Sequence, residues 1–220
     1  MATRRNLPSR PTVVLLVRHG TTPTTGKVLP GRARGLHLSE LGHSQAEAVA
    51  VRIAQLDDSG QRPPVAVYAS PMERTAETAR PIARHLGLRV RTDHGLIECD
   101  FGEWTGAPLR SLAKKPEWGQ VQRCPSGFRF PGGESFLEMQ ARISSAIDRL
   151  VRLHRGETIV AVSHADPIKA ALSTAAGTPL DLFQRLIVSP CSVSAVAYGQ
   201  AGPHVLTINS TASLTELAIA

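Results

Sequence analysis

The chain has 220 residues and a formal net charge of +7 at pH 7. Its length is that of one ordinary α/β domain, large enough to fold without disulfides or metal. Its three cysteines, Cys99, Cys124 and Cys191, are far apart and lack C-x-x-C spacing. That excludes a disulfide scaffold and a cysteine metal site, and fits a reducing, cytoplasmic compartment.

Residues 1–11 read as a basic, flexible tail without the apolar segment of a secretion signal. Thr12–Val17 is an apolar, branched run and predicts a buried strand. Thr21–Leu38 is a loop broken by Gly26, Pro30, Gly31 and Gly35. Ser39 caps a predicted helix that ends near Leu56, with Leu41, Ala46, Val49 and Ile53 near helical spacing. After a loop at Asp57–Pro64, Val65–Ala69 predicts a second strand. Ser70-Pro71-Met72-Glu73 has the form of a capping box with Pro at the first helical position. The helix it predicts runs to about Leu86, with Pro81 a point of kinking. Arg89–Arg91 is a short strand. Gly102–Gly133 is irregular apart from a short helix near Leu109–Lys114. Ser135–Leu153 is an amphipathic helix that stops at His154-Arg155-Gly156. Thr158–Val162 is a fourth strand, and Pro167–Ala176 a helix closed by Gly177. Ser192–Tyr198 and His204–Asn209 form a hairpin around Gln200-Ala201-Gly202-Pro203. The alternation of strands and helices predicts a three-layer α/β/α sandwich. Its sheet is mostly parallel, with at least one antiparallel strand near the C-terminus.

The positive balance raises the question of nucleic acid. The basic residues are scattered, however, and aromatic residues make up only 4% of the chain, too few for stacking platforms. No apolar stretch is long enough to span a bilayer. The charge reads as a solvated surface that steers small anions inward. Neither a nucleic-acid nor a membrane partner is expected, and self-association is left open.

Three apolar strands each deliver a cation or imidazole at their carboxyl ends. Arg18-His19-Gly20 follows the first, Ser70-Pro71 and Arg74 the second, and Ser163-His164 the fourth. That edge of an open α/β sheet is where ligands bind. Two arginines and two histidines there form a pocket suited to a phosphoryl group, because a guanidinium can bond two phosphate oxygens at once. Taken alone, Arg18-His19-Gly20 is weak evidence, since a histidine often merely ends a strand. Arg74, placed early in its helix, opposes the helix dipole unless an anion is shared there. Pairing with Glu73 or Glu77 is the plainer alternative.

The segments Leu16–Thr22, Ser70–Ala76, Leu96–Gly106 and Val162–His164 follow one another in order. Pro131-Gly132-Gly133-Glu134-Ser135 lies between the last two. Together they resemble the histidine phosphatase superfamily, in its phosphoglycerate-mutase-like branch, from about Thr12 to Asn209. The resemblance implies one catalytic domain over 12–220, with a lid or insertion at about 102–133. It implies His19 as a nucleophile that forms a phosphohistidine. Its second ring nitrogen would be held by a backbone carbonyl. Arg18, Arg74 and His164 are implied as the phosphoryl clamp, and Glu98 as the general acid and base, with Asp100 and Glu103 as nearby competitors. Ala165 stands where the family often has Gly. Thr25 stands where it often has a phosphate-binding Asn, and Thr25, through one hydroxyl hydrogen bond, and Ala165 are implied as further substrate-binding positions. No cofactor and no metal ligand set is implied. His37, His43, His85, His94, His154 and His204 match no motif and read as surface or helix-end groups.

The leading expectation is a metal-independent phosphomonoesterase for a phosphorylated small molecule. A cofactor-dependent phosphoglycerate mutase is the alternative. True mutases of the family carry a longer insertion with an Arg-Arg pair and a later Arg-x-Tyr motif. Ala107–Pro131 has neither an Arg-Arg pair nor a tyrosine. Its Arg110, Lys114, Lys115 and Arg123 would form a positive rim, and Leu109, Leu112, Trp118 and Phe128 an apolar one. A non-catalytic phosphoprotein or nucleic-acid binder is a third reading, opposed by the retention of both arginines, both histidines and Glu98.

Overall fold

The computed structural model describes residues 10–58 and 62–212. Residues 1–9 of the expected tail and 59–61 of the expected Asp57–Pro64 loop lie outside the described residues.

The strands are β1 (Thr12–Arg18), β2 (Ala66–Ala69), β3 (Val90–Thr92), β4 (Thr158–Ser163), β5 (Val193–Gly199) and β6 (Gly202–Ser210). They form one sheet in the order β3-β2-β4-β1-β5-β6. Pairs β2/β3, β2/β4 and β1/β4 are parallel, while β5 runs antiparallel to both β1 and β6. The helices are α1 (Glu40–Asp58), α2 (Glu73–His85), α3 (Leu109–Leu112), α4 (Trp118–Arg123), α5 (Phe136–Leu153) and α6 (Ala165–Ala175).

The strict two-residue period of a strand divides the core. Val13, Leu15 and Val17 of β1 pack with Ala46, Val49, Ala50 and Ile53 of α1 and with Ala79, Ile82 and Ala83 of α2. Val14 and Leu16 pack on the other face with Met139, Ile143 and Ile147 of α5 and Ile168 and Leu172 of α6. Both faces are covered, which is why β1, β2 and β4 read as unbroken apolar runs rather than alternating ones. The sandwich expected from the element order is the fold observed.

Several local details depart from expectation. The S-x-x-E pattern does not cap α2: its N-cap is Met72, with no side-chain cap, and the helix starts at Glu73. A complete capping box forms instead at Ser135 and Glu138, at the start of α5. And Leu41, expected on the buried face of α1, is 60% exposed.

The glycine that ends the first motif serves close packing. A Cβ on Gly20 would lie 2.6 Å from the carbonyl oxygen of Gly42. This contact seats the end of β1 against the first turn of α1. Ser39 then bonds the Thr21 carbonyl through both its backbone N–H (2.9 Å) and its hydroxyl (3.0 Å).

Candidate active site

Register brings the strand ends together. Arg18 pairs with Ser163, and both Val17 and Ala69 pair with Val162. The His19 N–H donates to the Ser163 carbonyl at 3.0 Å. His19 and His164 therefore follow adjacent parallel strands at one level, with ring centroids 5.2 Å apart in an edge-on contact.

His19 is 5% exposed. Its Nδ1 lies 2.7 Å from the carbonyl oxygen of Gly20, a group that can only accept. Nδ1 therefore carries the proton and Nε2 keeps its lone pair. Burial, followed by the charges of Arg74 and Arg18, pulls the imidazolium pKa down to about 3. At neutral pH the ring is a neutral imidazole with a free lone pair on Nε2.

Arg74 is fully buried. Its Nη2 donates to the Gly31 carbonyl at 2.8 Å, while Nε and Nη1 have no protein partner. Two unpaired nitrogens on a buried cation are costly unless an anion answers them. The alternative pairing with Glu73 or Glu77 is absent: Glu73 accepts from Gly35 N–H, and Glu77 holds His37 and Leu38 N–H. Arg74 is the second residue of α2, not the fourth as the misplaced cap implied. Arg18 is anchored through Nη1 to the Val188 carbonyl at 2.7 Å and also has an unpaired buried Nε.

His164 is the N-cap residue of α6, which opens at Ala165, two residues earlier than expected. The first amides of that helix have no intrahelical acceptor, which favours an anion beside His164. Nε2 of His164 lies 2.8 Å from the hydroxyl of Ser70. Ser70, misread as a helix cap, is thus a pocket residue that sequence reasoning missed. Its place directly after β2, matching that of His19 after β1, was the available signal. Nδ1 of His164 has no hydrogen-bond partner and lies 3.8 Å from Oε2 of Glu98. Burial and the charges of Arg74 and Arg18 hold His164 well below the usual imidazole range. A bound dianion supplies the opposite field.

Glu98 is 7% exposed, and its Oε1 accepts from Cys99 N–H at 2.9 Å. Burial, then the negative charge of Asp166, pushes its pKa up to about 7 against the pull of Arg74 and Arg18. A carboxyl group poised there can give and take a proton at neutral pH. The competitors are placed otherwise: Glu103 is exposed, and Asp100 pairs with Arg32 and accepts from Gly102 N–H.

A bracket of three residues, none assigned a role from sequence, grips the backbone of Glu98. Arg32 Nε donates to the Glu98 carbonyl at 2.9 Å and Arg142 Nη2 at 3.3 Å. Both guanidinium groups bind Glu134, which also accepts from Asp100 N–H. Arg142 further bonds the Gly95 and Ile97 carbonyls. The P-G-G-E-S motif thus enters the site through Glu134.

Thr25 spends its hydroxyl inside its own loop, accepting from Thr22 N–H at 2.9 Å and bonding Thr22 Oγ1 at 3.0 Å. Leu112 and Phe128, expected on a pocket rim, are buried. Phe128 contacts Trp104, Phe130 and Phe136 in an aromatic cluster, and Leu112 belongs to the same core. His154 ends α5 as expected but is buried, bonding Tyr68 and Glu157. Among the described residues no group of three or more His, Cys, Asp or Glu is placed to hold a metal ion, and no helix is long and apolar enough to cross a membrane.

A family model described as histidine phosphatase superfamily (branch 1) matches residues 14–211. A bifunctional protein of Mycobacterium tuberculosis is 33% identical over 212 residues, covering 93% of this chain. The chain spans only 55% of that relative's length. The "Probable phosphoglycerate mutase GpmB" of Yersinia pestis is 34% identical over 188 residues, 84% of each protein. Among solved structures, mycobacterial glucosyl-3-phosphoglycerate phosphatase superposes with a TM-score of 0.80 at 24% identity. The match covers 92% of this chain and all of that one, a likeness of fold.

Proposed function

The chain belongs to the histidine phosphatase superfamily, and from that membership we propose that it is a metal-independent phosphomonoesterase using a phosphohistidine on His19. One observation carries the reading. The Nδ1 hydrogen bond of His19 to a backbone carbonyl leaves Nε2 unprotonated between two arginines with unpaired buried nitrogens.

In the first step, Nε2 of His19 attacks phosphorus and the bond to the ester oxygen breaks. Glu98 donates its proton to that oxygen, so a neutral alcohol leaves. In the second step, the Glu98 carboxylate takes a proton from water as the water oxygen attacks phosphorus. The phosphorus–nitrogen bond breaks, its electron pair returns to Nε2, and inorganic phosphate is released. Arg18, Arg74 and His164 hold the equatorial oxygens throughout, where negative charge concentrates. The backbone at Ala165 and the loop shaped by Thr25 border that clamp. Residues 12–220 act as one catalytic domain, working on a phosphorylated small molecule in the cytoplasm.

Similarity to GpmB keeps the mutase reading in view. The hydrolytic reading is favoured by the short Ala107–Pro131 segment, which has neither an Arg-Arg pair nor a tyrosine. A mutase must shield its phosphohistidine from water.

The test is rapid quenching during turnover of a phosphate ester, with chelator present. An acid-labile, base-stable phosphoryl group should appear on His19. His19→Ala should abolish both label and turnover. Label on a serine or cysteine, or activity that needs added metal, would overturn the mechanism.

A further inference from the structure

A cleft of about 500 Å³ lies beside the phosphoryl pocket, lined in part by Arg32, Arg34, Met72, His94 and Ile97. We propose that it receives the alcohol portion of the substrate, and that this portion carries a second anionic group, a carboxylate or another phosphate, bound by Arg34. The inference rests on the phosphatase reading and names the substrate class of that site.

The walls of the cleft adjoin those of the pocket through Arg32 and Ile97. The carbonyl of Gly31 accepts from Arg74, and the next residue, Arg32, donates to the Glu98 carbonyl. Ile97 adjoins Glu98 in the chain. A general acid must stand beside the leaving oxygen. The alcohol therefore extends from the Glu98 side, where this cleft opens. Its volume suits a small metabolite.

Arg32 lines the cleft, but Glu134 and Asp100 already answer its charge. Glu73 also lines it, but its Oε1 accepts from the N–H of Gly35, so that it braces the loop carrying Arg34. Arg34 is exposed and has no hydrogen bond or ion pair among the described residues. The ring of His94 is likewise exposed and unpaired. A free planar guanidinium matches a carboxylate or phosphate two oxygens at a time. Met72 and Ile97 provide apolar surface for the carbon skeleton between the two anions.

The test uses the full chain and matched esters. 3-Phosphoglycerate is set against glycerol 3-phosphate, and fructose 1,6-bisphosphate against fructose 6-phosphate, with p-nitrophenyl phosphate as reference. At least one of the doubly anionic esters should be preferred in kcat/KM by about tenfold or more over its partner, and which one reveals the anion read. Arg34→Ala should erase that preference through KM and leave p-nitrophenyl phosphate within about twofold, while Arg34→Lys should keep part of it. Hydrolysis of p-nitrophenyl phosphate without any such preference would overturn the inference and leave the phosphatase reading standing. So would a preference that survives Arg34→Ala but disappears on charge reversal at Lys114 and Lys115. Failure to hydrolyse any ester would overturn both.

Discussion

The hydroxyl of Ser70 lies 2.8 Å from Nε2 of His164, joining the ends of β2 and β4 side chain to side chain. The bond orients the ring so that Nδ1 stands 3.8 Å from Glu98 and has no hydrogen-bond partner. Ser70→Ala leaves a buried ring nitrogen unpaired, at a cost of about 1–3 kcal/mol. Its kcat on p-nitrophenyl phosphate should fall roughly ten- to a hundredfold, since small misplacements of a clamping group cost that much. A wild-type rate would show that the hydroxyl does not position His164.

Glu98→Gln should slow alkyl phosphates about 10²–10⁴-fold, the range of general acid catalysis. It should slow p-nitrophenyl phosphate far less, because nitrophenolate leaves without a proton. Comparing kcat/KM across a leaving-group series checks this. Equal losses throughout would move the acid role elsewhere, to Asp100 or Glu103 first.

Activity should lie between two limbs. His19 must be neutral, which burial and the two arginines secure above about pH 3. Glu98 must be protonated for the first step, so kcat/KM for an alkyl ester should fall as pH rises through about 7. Asp166 raises the Glu98 pKa, so Asp166→Asn should move that limb to lower pH. A limb that stays in place in Asp166→Asn, or its absence with alkyl esters, would contradict the assignment.

The same shifts govern stability. His19 and His164 have folded pKa values below the ordinary 6.5, so folding holds them neutral. The unfolded chain binds the extra protons, and stability is lost as pH falls from about 6.5 toward 3. Glu98 is shifted upward from 4.5 and works in the opposite sense, its contribution being lost as pH rises through about 7. Thermal unfolding of His19→Gln should show a shallower fall in Tm from pH 6.5 to pH 4 than the unmutated chain. An unchanged slope would refute the coupling.

Glu134 holds Arg32 and Arg142, and both hold the Glu98 carbonyl. Glu134→Gln weakens two ion pairs without opening a cavity. It should cost about 1–3 kcal/mol of stability. If the bracket positions the acid, alkyl esters should lose several-fold more activity than p-nitrophenyl phosphate. Equal losses, read from the same leaving-group series, would make it a structural brace only.

The strands, the major helices and the convergence of the three strand ends were legible in the residues themselves. Val13–Val17 and Ile159–Val162 are apolar at every position because both faces of the sheet are covered, and a local run records that. Arg18-His19 and His164 each stand directly after such a run, so their arrival at one sheet edge follows from parallel pairing. What local pattern could not decide is which partner a polar group takes when two are available. Ser70 satisfies a cap pattern locally, yet the register of β2 against β4 puts an imidazole within its reach, and the buried imidazole takes it. Arg32 is far in sequence from Glu134 and Arg142, and the three meet at Glu98 only because α5 lies across the chain leading to it. Phe128 and Leu112 belong to a segment with no periodicity, and only its closure over Trp104 and Phe136 shows them as core. Side chains bound to neighbours close in sequence leave a pattern, whereas those bound across the fold acquire their roles only when tertiary packing removes the water that would otherwise pair them.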